Sequence, residues 1–319
     1  MTALDENGID TLDPDLHDDL LAADEQVVPP EAGKWADIWK RFKRNRLALV
    51  GLGIIAMLVL MAVFAPLLVR FESTVGGIAQ LDPERGTSPK GLSPSLDHFF
   101  GTDRLGRDIF SRIVYGSRLS LIVGFSAVFL STTVGALLGA LSGYYGRFID
   151  ASIMRFTDVA LALPYIVLAI ALVVAFGRNT TTIVLVIAAL GWMGIARIFR
   201  SAIIQQKNQE YVEAARAIGC SDWRIITKHL VPNSIQPVVV YSTLAIGTAI
   251  LSEAALSFLG VGALEPTPSW GLMINHGRTS LRTSPHILFF PALFLALTIV
   301  AFTAVGDGLR DALDPKLKR

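Results

Sequence analysis

The sequence predicts an all-α membrane protein with six transmembrane helices. Hydrophobic residues make up 52% of its 319 residues, and the mean hydropathy is +0.52. A helix needs about 20 apolar residues to cross the hydrocarbon core. Apolar runs of that order begin and end, in chain order, at residues 47–69, 119–146, 159–177, 179–196, 230–252 and 283–306. Helices satisfy their own backbone hydrogen bonds in lipid, so six helical spans are the natural interpretation.

The first run is preceded by two segments of opposite charge. Residues 1–33 contain ten Asp or Glu and no Lys or Arg, with little apolar periodicity, and we predict a disordered acidic cytoplasmic tail. Residues 34–69 form a basic juxtamembrane segment followed by the first span, Leu47 to Val69. The basic cluster consists of Lys40, Arg41, Lys43, Arg44 and Arg46.

That basic cluster sets the expected orientation. By the positive-inside rule the N-terminus is cytoplasmic, and six spans return the C-terminal tail, residues 313–319, to the same side. The loop at 70–117 is then extracytoplasmic, although it carries basic residues of its own that oppose this assignment. The denser first cluster decides it. The remaining core, residues 118–312, includes a second cytoplasmic loop at 199–233.

Part of that second loop has an unusual pattern for a connection between apolar spans. Tyr211, Ala214, Ala215 and Ile218 have helical spacing on one face. Gly219 follows as a helix stop, and Ser221 can cap a second short helix that Pro232 ends. Trp223, Ile226 and Leu230 share a face of that second helix, and an exposed Trp is a typical interface anchor.

This segment resembles the cytoplasmic loop of ABC-importer permeases. The family pattern is Glu-Ala-Ala, three residues, Gly, nine residues, then Ile-x-Leu-Pro; here Glu213 begins it, and Gly219 and Pro232 keep its spacing. His229 stands in place of the Ile, and Val231 stands in place of the Leu. A His at this position resembles the version of the pattern that the peptide-transport branch of the family has. The alternative is an ordinary amphipathic hairpin without a partner.

The resemblance implies a C-type (DppC- or OppC-like) permease subunit of a dipeptide, oligopeptide or nickel importer. It implies one N-terminal helix added to a five-helix type I importer (MetI-like) core, which pairs with a second permease, two cytoplasmic ATPase domains and an extracytoplasmic substrate-binding protein. ATP and Mg would be bound by the ATPase partners, with no cofactor on this chain. The residues that it implies for coupling are Glu210, Glu213, Ala214, Ala215, Gly219, Ser221, Asp222, Trp223, Arg224, Ile226, Leu230 and Pro232.

A second motif precedes the second span. Residues 98–121 read HFFGTDRLGRDIFSRIVYGSRLSL, which resembles the peptide-permease signature G-T-D-x-L-G-R-D. Asp103, Gly106, Arg107 and Asp108 match it. The apolar face that follows Asp108 predicts an interfacial helix on the outer membrane surface. Its residues have either a gating role or a structural one, as a collar for the second span.

Other residues in the apolar runs are candidates for packing or for the substrate path. Gly135, Gly139 and Gly143 recur every four residues, which favours close helix packing. Asp158 follows Arg155 by three residues and could pair with it. Glu253 lies at membrane depth, where a charge is costly. It is either a residue of the substrate path or a structural hydrogen-bond acceptor.

Several other function classes lack a signature. The chain contains no G-x-x-x-x-G-K-[ST] phosphate loop, no H-E-x-x-H and no G-x-S-x-G elbow, and its five His residues are scattered. We therefore expect a transport subunit in the cell (inner) membrane, surrounded by the lipid bilayer, rather than an enzyme, with no metal site and no nucleic-acid partner. A secondary transporter is the rival class, and an intramembrane enzyme is a further one. Within the family, cargo other than peptides, such as nickel or another small solute, stays open.

Overall fold

The computed structural model describes residues 34–69 and 91–313. The predicted acidic tail at 1–33, the first part of the 70–117 loop and almost all of the C-terminal tail lie outside these ranges. Regular structure in the described residues is helical, apart from one isolated bridge between Thr102 and Asp108.

The helices follow one another with short connections. In chain order they are α1 (Lys34–Phe42), α2 (Arg46–Val63), α3 (Ala65–Leu68), α4 (Ile109–Tyr145), α5 (Arg147–Leu161), α6 (Tyr165–Phe176), α7 (Thr180–Lys207), α8 (Glu210–Ala217), α9 (Asp222–Arg224), a π-helix (Ile225–Leu230), α10 (Val231–Ser234), α11 (Gln236–Phe258), α12 (Trp270–Gly277), a 3₁₀ turn (Arg278–Ser280) and α13 (His286–Leu313).

Five of these helices are long and apolar enough to cross a membrane: α2, α4, α7, α11 and α13. The pair α5 and α6 counts as a sixth span, although the two helices meet at an angle of 92°. The predicted all-α class and the six spans are thus confirmed, with one span broken. The break falls at Pro164, which lacks an N–H and disfavours helical geometry in the residue before it.

Two predicted boundaries near the second and fourth spans are wrong. Residues 109–117 are not a separate interfacial helix, because Asp108 caps α4 and the helix runs unbroken from Ile109 for 37 residues. Such a helix is about 55 Å long, so its first turns extend beyond a hydrocarbon core of about 30 Å. The fourth run, which the sequence ends at residue 196, lies in a helix that continues to Lys207, and Arg197 and Arg200 in this extension form ion pairs with carboxylates of α5.

Helices α4 and α7 pack closely along the glycine series of the second span. A Cβ on Gly135, Gly139 or Gly143 would lie 2.7, 2.6 or 2.9 Å from the carbonyl oxygen of Trp192, Ala196 or Arg200, respectively. Ser131, one step earlier, donates a hydrogen bond to the Ala188 carbonyl at 3.1 Å. Because side chains on α4 would collide with the backbone of α7, the small residues allow this approach. This contact along the three glycines, which we call the glycine seam, joins two helices of the same chain.

The described ends of the chain lie on one side of the bundle. Phe42 and Ala48 at the start of the first span pack with Ala312 near the end of α13. Lys207, at the end of α7, donates to the Tyr144 carbonyl at the end of α4. At the other side, Arg118 of α4 donates to the carbonyls of Ala62 and Val63. The segment that follows Lys207 therefore lies on the same side as residues 34–46.

The glycine seam leads to a stability prediction. Gly139→Ala should destabilise the protein by about 1–3 kcal/mol, because the new methyl group meets fixed backbone of α7. Gly53→Ala is the matched control, since a Cβ at Gly53 has nothing within 4 Å and alanine favours the helix. Thermal unfolding of both variants in lipid nanodiscs checks this. Equal midpoints for the two variants would show that the seam tolerates a side chain.

Candidate functional site

The segment between α7 and α11 forms a compact helical hairpin. Helix α8 begins after Gln209 with Glu210 and Glu213 in its first turn, where the helix dipole favours acidic residues. It ends at Gly219, whose φ is +78°. Gly219 N–H donates to Arg216 and Cys220 N–H donates to Ala215, which is the Schellman pattern of a helix stop. The predicted stop at Gly219 is confirmed, and its cause is the positive φ.

The second arm of the hairpin differs from its prediction. The helix does not end at Pro232 but passes through it to Ser234, with a π-helical stretch over Ile225–Leu230. Proline has no N–H and crowds the carbonyl four residues earlier, and the wider π turn relieves that contact. Ser221 occupies the N-cap position of α9, but its side chain makes no capping hydrogen bond.

One side of the hairpin is buried against the neighbouring ends of the spans. Val212 and Ala215 of α8 and Ile225, Ile226 and Leu230 of the second arm share one apolar cluster. That cluster also contains residues of α4, α7 and α11, namely Ala140, Tyr144, Ile195, Phe199, Ile203 and Val238. Three of the predicted coupling residues, Ala215, Ile226 and Leu230, are therefore buried anchors.

The other side of the hairpin is exposed, and we call it the coupling surface. Trp223 is 65% exposed and Ile218 is 81% exposed, and Tyr211 and Ala214 lie on the same open side of α8. The remaining predicted residues at this surface are Glu210, Glu213, Gly219, Ser221, Asp222 and Arg224, together with Pro232 on the second arm. Of the periodic residues of α8, Tyr211, Ala214 and Ile218 thus face away from the protein, whereas Ala215 packs inward together with Val212, which the periodicity missed.

A polar cluster around Tyr144 fixes the hairpin to the spans. The Tyr144 hydroxyl donates to Asp222 Oδ1 at 2.6 Å. Lys207 Nζ and the Arg216 guanidinium lie 5.3 and 5.7 Å from the centre of its ring, within the range of cation–π attraction. Of these residues only Asp222 was predicted. The signal that could have found Tyr144 is a tyrosine at the polar end of an apolar run.

The G-T-D-x-L-G-R-D motif forms a folded loop before α4. Asp103 Oδ1 accepts hydrogen bonds from the N–H groups of Leu105 and Arg107, both at 2.9 Å, and its Oδ2 accepts from Arg107 Nε at 2.6 Å. Gly106 has a φ of +82°, which favours glycine. Asp108 caps α4 by accepting from Ser111 N–H at 2.8 Å. These contacts match the structural collar; a part in gating stays a prediction.

An ion cluster joins that loop to the connection after α11. Arg107 Nη1 lies 2.6 Å from Glu265 Oε2, and Arg112 and His276 lie 3.6 and 3.7 Å from Glu265 Oε1. Burial opposes ionisation of Glu265, but the Arg107 hydrogen bond and the nearby positive charges outweigh it and lower the pKa of this carboxyl. Burial lowers the pKa of His276. At neutral pH the cluster is thus held by a carboxylate between two guanidinium groups.

Glu253 and Asp158 are placed differently from each other. Glu253 is fully buried near the C-terminal end of α11, and its Oε1 accepts from Ser257 and Ser269 at 2.7 and 2.8 Å. These contacts favour the structural acceptor over the substrate path.

Asp158 forms an ion pair with Arg197 of α7 at 2.5 Å, not with Arg155 as the spacing suggested. The bend between α5 and α6 places Asp158 beside α7.

Comparison with known proteins identifies the family of the chain. Residues 135–319 match the family described as "Binding-protein-dependent transport system inner membrane component". The chain belongs to this family. Residues 33–84 match the "N-terminal TM domain of oligopeptide transport permease C". The protein is thus a permease component of ABC importers with the added N-terminal helix, and by family it is a transport subunit, not an enzyme.

The relatives of this permease extend over nearly all of it. It is 44% identical to the dipeptide transport system permease protein DppC of Alkalihalophilus pseudofirmus, over 94% of this chain and 97% of that one. It is 41% identical to the oligopeptide transport system permease protein OppC of Bacillus subtilis, over 92% and 94%. Glutathione transport system permease protein GsiD of Escherichia coli O157:H7 is 42% identical, over 93% and 94%.

Solved structures agree on the fold. The inward-facing MetNI methionine ABC transporter matches with a TM-score of 0.53 at 20% identity, over 64% of this chain and 97% of that one. An amino acid ABC transporter with histidines matches with a TM-score of 0.50 at 16% identity, over 62% and 92%. The predicted MetI-like core is confirmed.

The Tyr144 cluster leads to a prediction about the hairpin. Tyr144→Phe removes the hydroxyl that Asp222 accepts and keeps the ring. Backbone amides of residues 221–230 should exchange hydrogen about fivefold faster, corresponding to about 1 kcal/mol of lost local stability. Hydrogen–deuterium exchange with mass spectrometry measures this. Tyr145→Phe, at the more exposed neighbouring tyrosine, is the matched control, and identical exchange in both variants would contradict the assignment.

The Glu265 cluster leads to a prediction about pH. A carboxyl whose pKa is lowered by folding stabilises the folded state above its unfolded pKa of about 4.3, and this contribution disappears as the pH falls through the lower folded value. Glu265→Gln should therefore lower the thermal unfolding midpoint at pH 7, and the difference from the wild type should shrink below about pH 4.3. Asp37→Asn, at an exposed carboxylate of α1, should show no such trend. A pH-independent difference for Glu265→Gln would contradict this.

Proposed function

We propose that this permease subunit moves dipeptides or oligopeptides across the cell membrane and is driven by separate ATPase subunits that bind the coupling surface. The assignment of peptides as the transported substrate rests on the similarity to dipeptide and oligopeptide permeases, which extends over more than nine-tenths of the chain. The relative named for glutathione transport also handles a peptide, so the relatives favour peptides over nickel.

The coupling surface suits a protein partner. It combines a large exposed aromatic, Trp223, and an exposed aliphatic, Ile218, with charged residues around them. Interfaces commonly consist of such an apolar anchor inside a polar rim. Ala214 lies on the same side, and its small side chain lets a neighbouring surface approach α8 closely.

The buried side of the hairpin connects that surface to the spans. A displacement of the hairpin acts on α4, α7 and α11, because the apolar cluster of Val212, Ile225 and Leu230 packs against them. The Tyr144–Asp222 hydrogen bond adds a directional link to α4. Packed interiors resist compression, so the hairpin and the inner helix ends move together. ATP-driven closure of the partners would in this way tilt the spans as rigid bodies.

The complete importer would contain a second permease, two ATPase domains and an extracytoplasmic substrate-binding protein. ATP and Mg would be bound by the ATPase subunits, and we assign no cofactor to this chain. Its multi-pass fold lies in the cell membrane with both termini cytoplasmic. This orientation places the coupling surface, which shares a side with residues 34–46, where the ATPases are.

Substitution of Trp223 tests the proposal. Trp223→Glu should weaken association with the ATPase subunits by about 2 kcal/mol or more, since a charge replaces the apolar anchor. Peptide uptake and the ATP hydrolysis that accompanies uptake in the assembled importer should both fall by more than tenfold, while membrane insertion is unchanged. Trp223→Phe keeps an apolar ring and should retain most of both activities.

The experiment also has a clear contrary result. If Trp223→Glu inserts, copurifies with the ATPase subunits and takes up labelled dipeptide at the wild-type rate, the coupling surface lies elsewhere. If the purified wild-type chain transports dipeptide without any ATPase subunit, the secondary-transporter alternative replaces the proposal.

A further inference from the structure

A cavity of about 320 Å³ lies between α4, α6, α7 and α11, at the level where the third span is broken. Its volume falls at the lower end of the range for small-molecule sites. Five hydroxyl groups line it among apolar side chains: Ser131, Tyr165, Tyr241, Thr248 and Ser252. None of its lining residues carries a charge. The cavity is thus uncharged, with hydroxyl groups set in a mainly apolar lining.

Two glycines of α7 keep this cavity open. A Cβ on Gly191 would lie 2.6 Å from Ser131 Oγ, and a Cβ on Gly194 would lie 2.5 Å from the Tyr241 hydroxyl. Both glycines belong to the lining, so any larger residue would occupy the space between the hydroxyl groups.

The hydroxyl groups are set up to accept hydrogen bonds. Ser131, Thr248 and Ser252 each donate their proton to a backbone carbonyl, at 3.1, 2.9 and 2.8 Å. A hydroxyl that donates in this way still has lone pairs to offer. An amide N–H in the cavity therefore meets acceptors, and its carbonyl can accept from a tyrosine hydroxyl. The cavity thus offers hydrogen-bond partners for both the N–H and the C=O of a peptide bond, whatever side chains flank that bond.

Opposite charges lie directly on the inner side of the cavity. Asp158 is three residues before Leu161, and Arg197 is three residues after Gly194; both Leu161 and Gly194 line the cavity. Residues three apart share a helix face, so the Asp158–Arg197 ion pair lies about one turn from the lining. The two side chains are 60% and 44% exposed, and they are therefore accessible to a ligand.

We propose that this cavity and ion pair form a transient site for a short zwitterionic peptide. The amino group of the peptide pairs with Asp158, its carboxylate pairs with Arg197, and its amide meets the hydroxyl groups. An extended dipeptide is about 7 Å long, so its two ends reach both side chains when Asp158 and Arg197 separate from their 2.5 Å contact. The arriving peptide replaces one ion pair with two, so the inner side of the cavity opens when it is occupied. This inference rests on the proposed peptide import.

Saturation-transfer NMR on the assembled importer in lipid nanodiscs, without the extracytoplasmic binding protein, tests the site. This method detects weak binding, and omission of the binding protein removes its own selection for peptide termini. The probes are L-alanyl-L-alanine and its N-acetylated form. Free dipeptide should give a signal with the wild type that is roughly tenfold weaker with Asp158→Asn and with Arg197→Gln, as expected for loss of one charged hydrogen bond.

The acetylated probe and a control variant separate recognition from a structural effect. N-acetyl dipeptide should bind the wild type more weakly than free dipeptide, and Asp158→Asn should not weaken it further. Arg155→Gln, which removes an exposed charge from the same helix, should leave both signals unchanged. No signal with the wild type, signals from the Asp158→Asn and Arg197→Gln variants equal to that of the wild type, or equal binding of the two probes to the wild type would overturn the inference.

ATP hydrolysis by the same nanodisc samples distinguishes this inference from the proposed function. If the ATPase subunits fail to copurify with the wild-type permease, the proposed coupling is wrong. Normal assembly and hydrolysis together with an unselective cavity would leave the proposed function in place and remove only the peptide site.

Discussion

The close approach of α4 and α7 is the constraint on which the rest of the structure depends. Glycines at positions 135, 139 and 143 let backbone meet backbone over several turns, where lipid provides no hydrophobic drive for association. The inner ends of these two helices hold the hairpin, and their middle parts form two walls of the hydroxyl-lined cavity. A shift of one helix past the other would change both regions at once.

Helix α7 carries features of each functional region in a fixed order. From its N-terminal to its C-terminal end it presents Gly191 and Gly194 to the cavity, Arg197 to Asp158, and Lys207 to Tyr144. Because a helix transmits displacement along its axis, a force on the hairpin reaches the proposed peptide site without any intervening loop. The proposed force from separate ATPase subunits would thus have a short physical path through α7.

Several charged residues are paired near helix ends or in the connections between helices. Asp150, in the first turn of α5, pairs with Arg200, and Asp158, one turn before the end of α5, pairs with Arg197. At the other side, Glu265 joins Arg107 where two connecting loops meet. Irregular backbone and charge at membrane depth are tolerated where protein surrounds them or where they line a cavity. These pairs let the core change direction without leaving charges unpaired.

The sequence alone determined the class, the number of spans and the position of the hairpin. Apolar length, the spacing from Glu213 to Pro232 and the need of Gly219 for a positive φ are local properties, so they could be recognised from the residues. The sequence did not determine which face of α8 is buried or which residue forms an ion pair with Asp158. It also did not determine the length of α4 or the angle between the two helices that meet at Pro164. Those depend on what other helices present at each position. Val212 is inward because it joins the apolar cluster that α4, α7, α11 and the second arm form, and Asp158 pairs with Arg197 because α7 lies within reach of it. Tertiary packing decided them, since contacts between residues far apart in sequence leave no period or spacing within either segment.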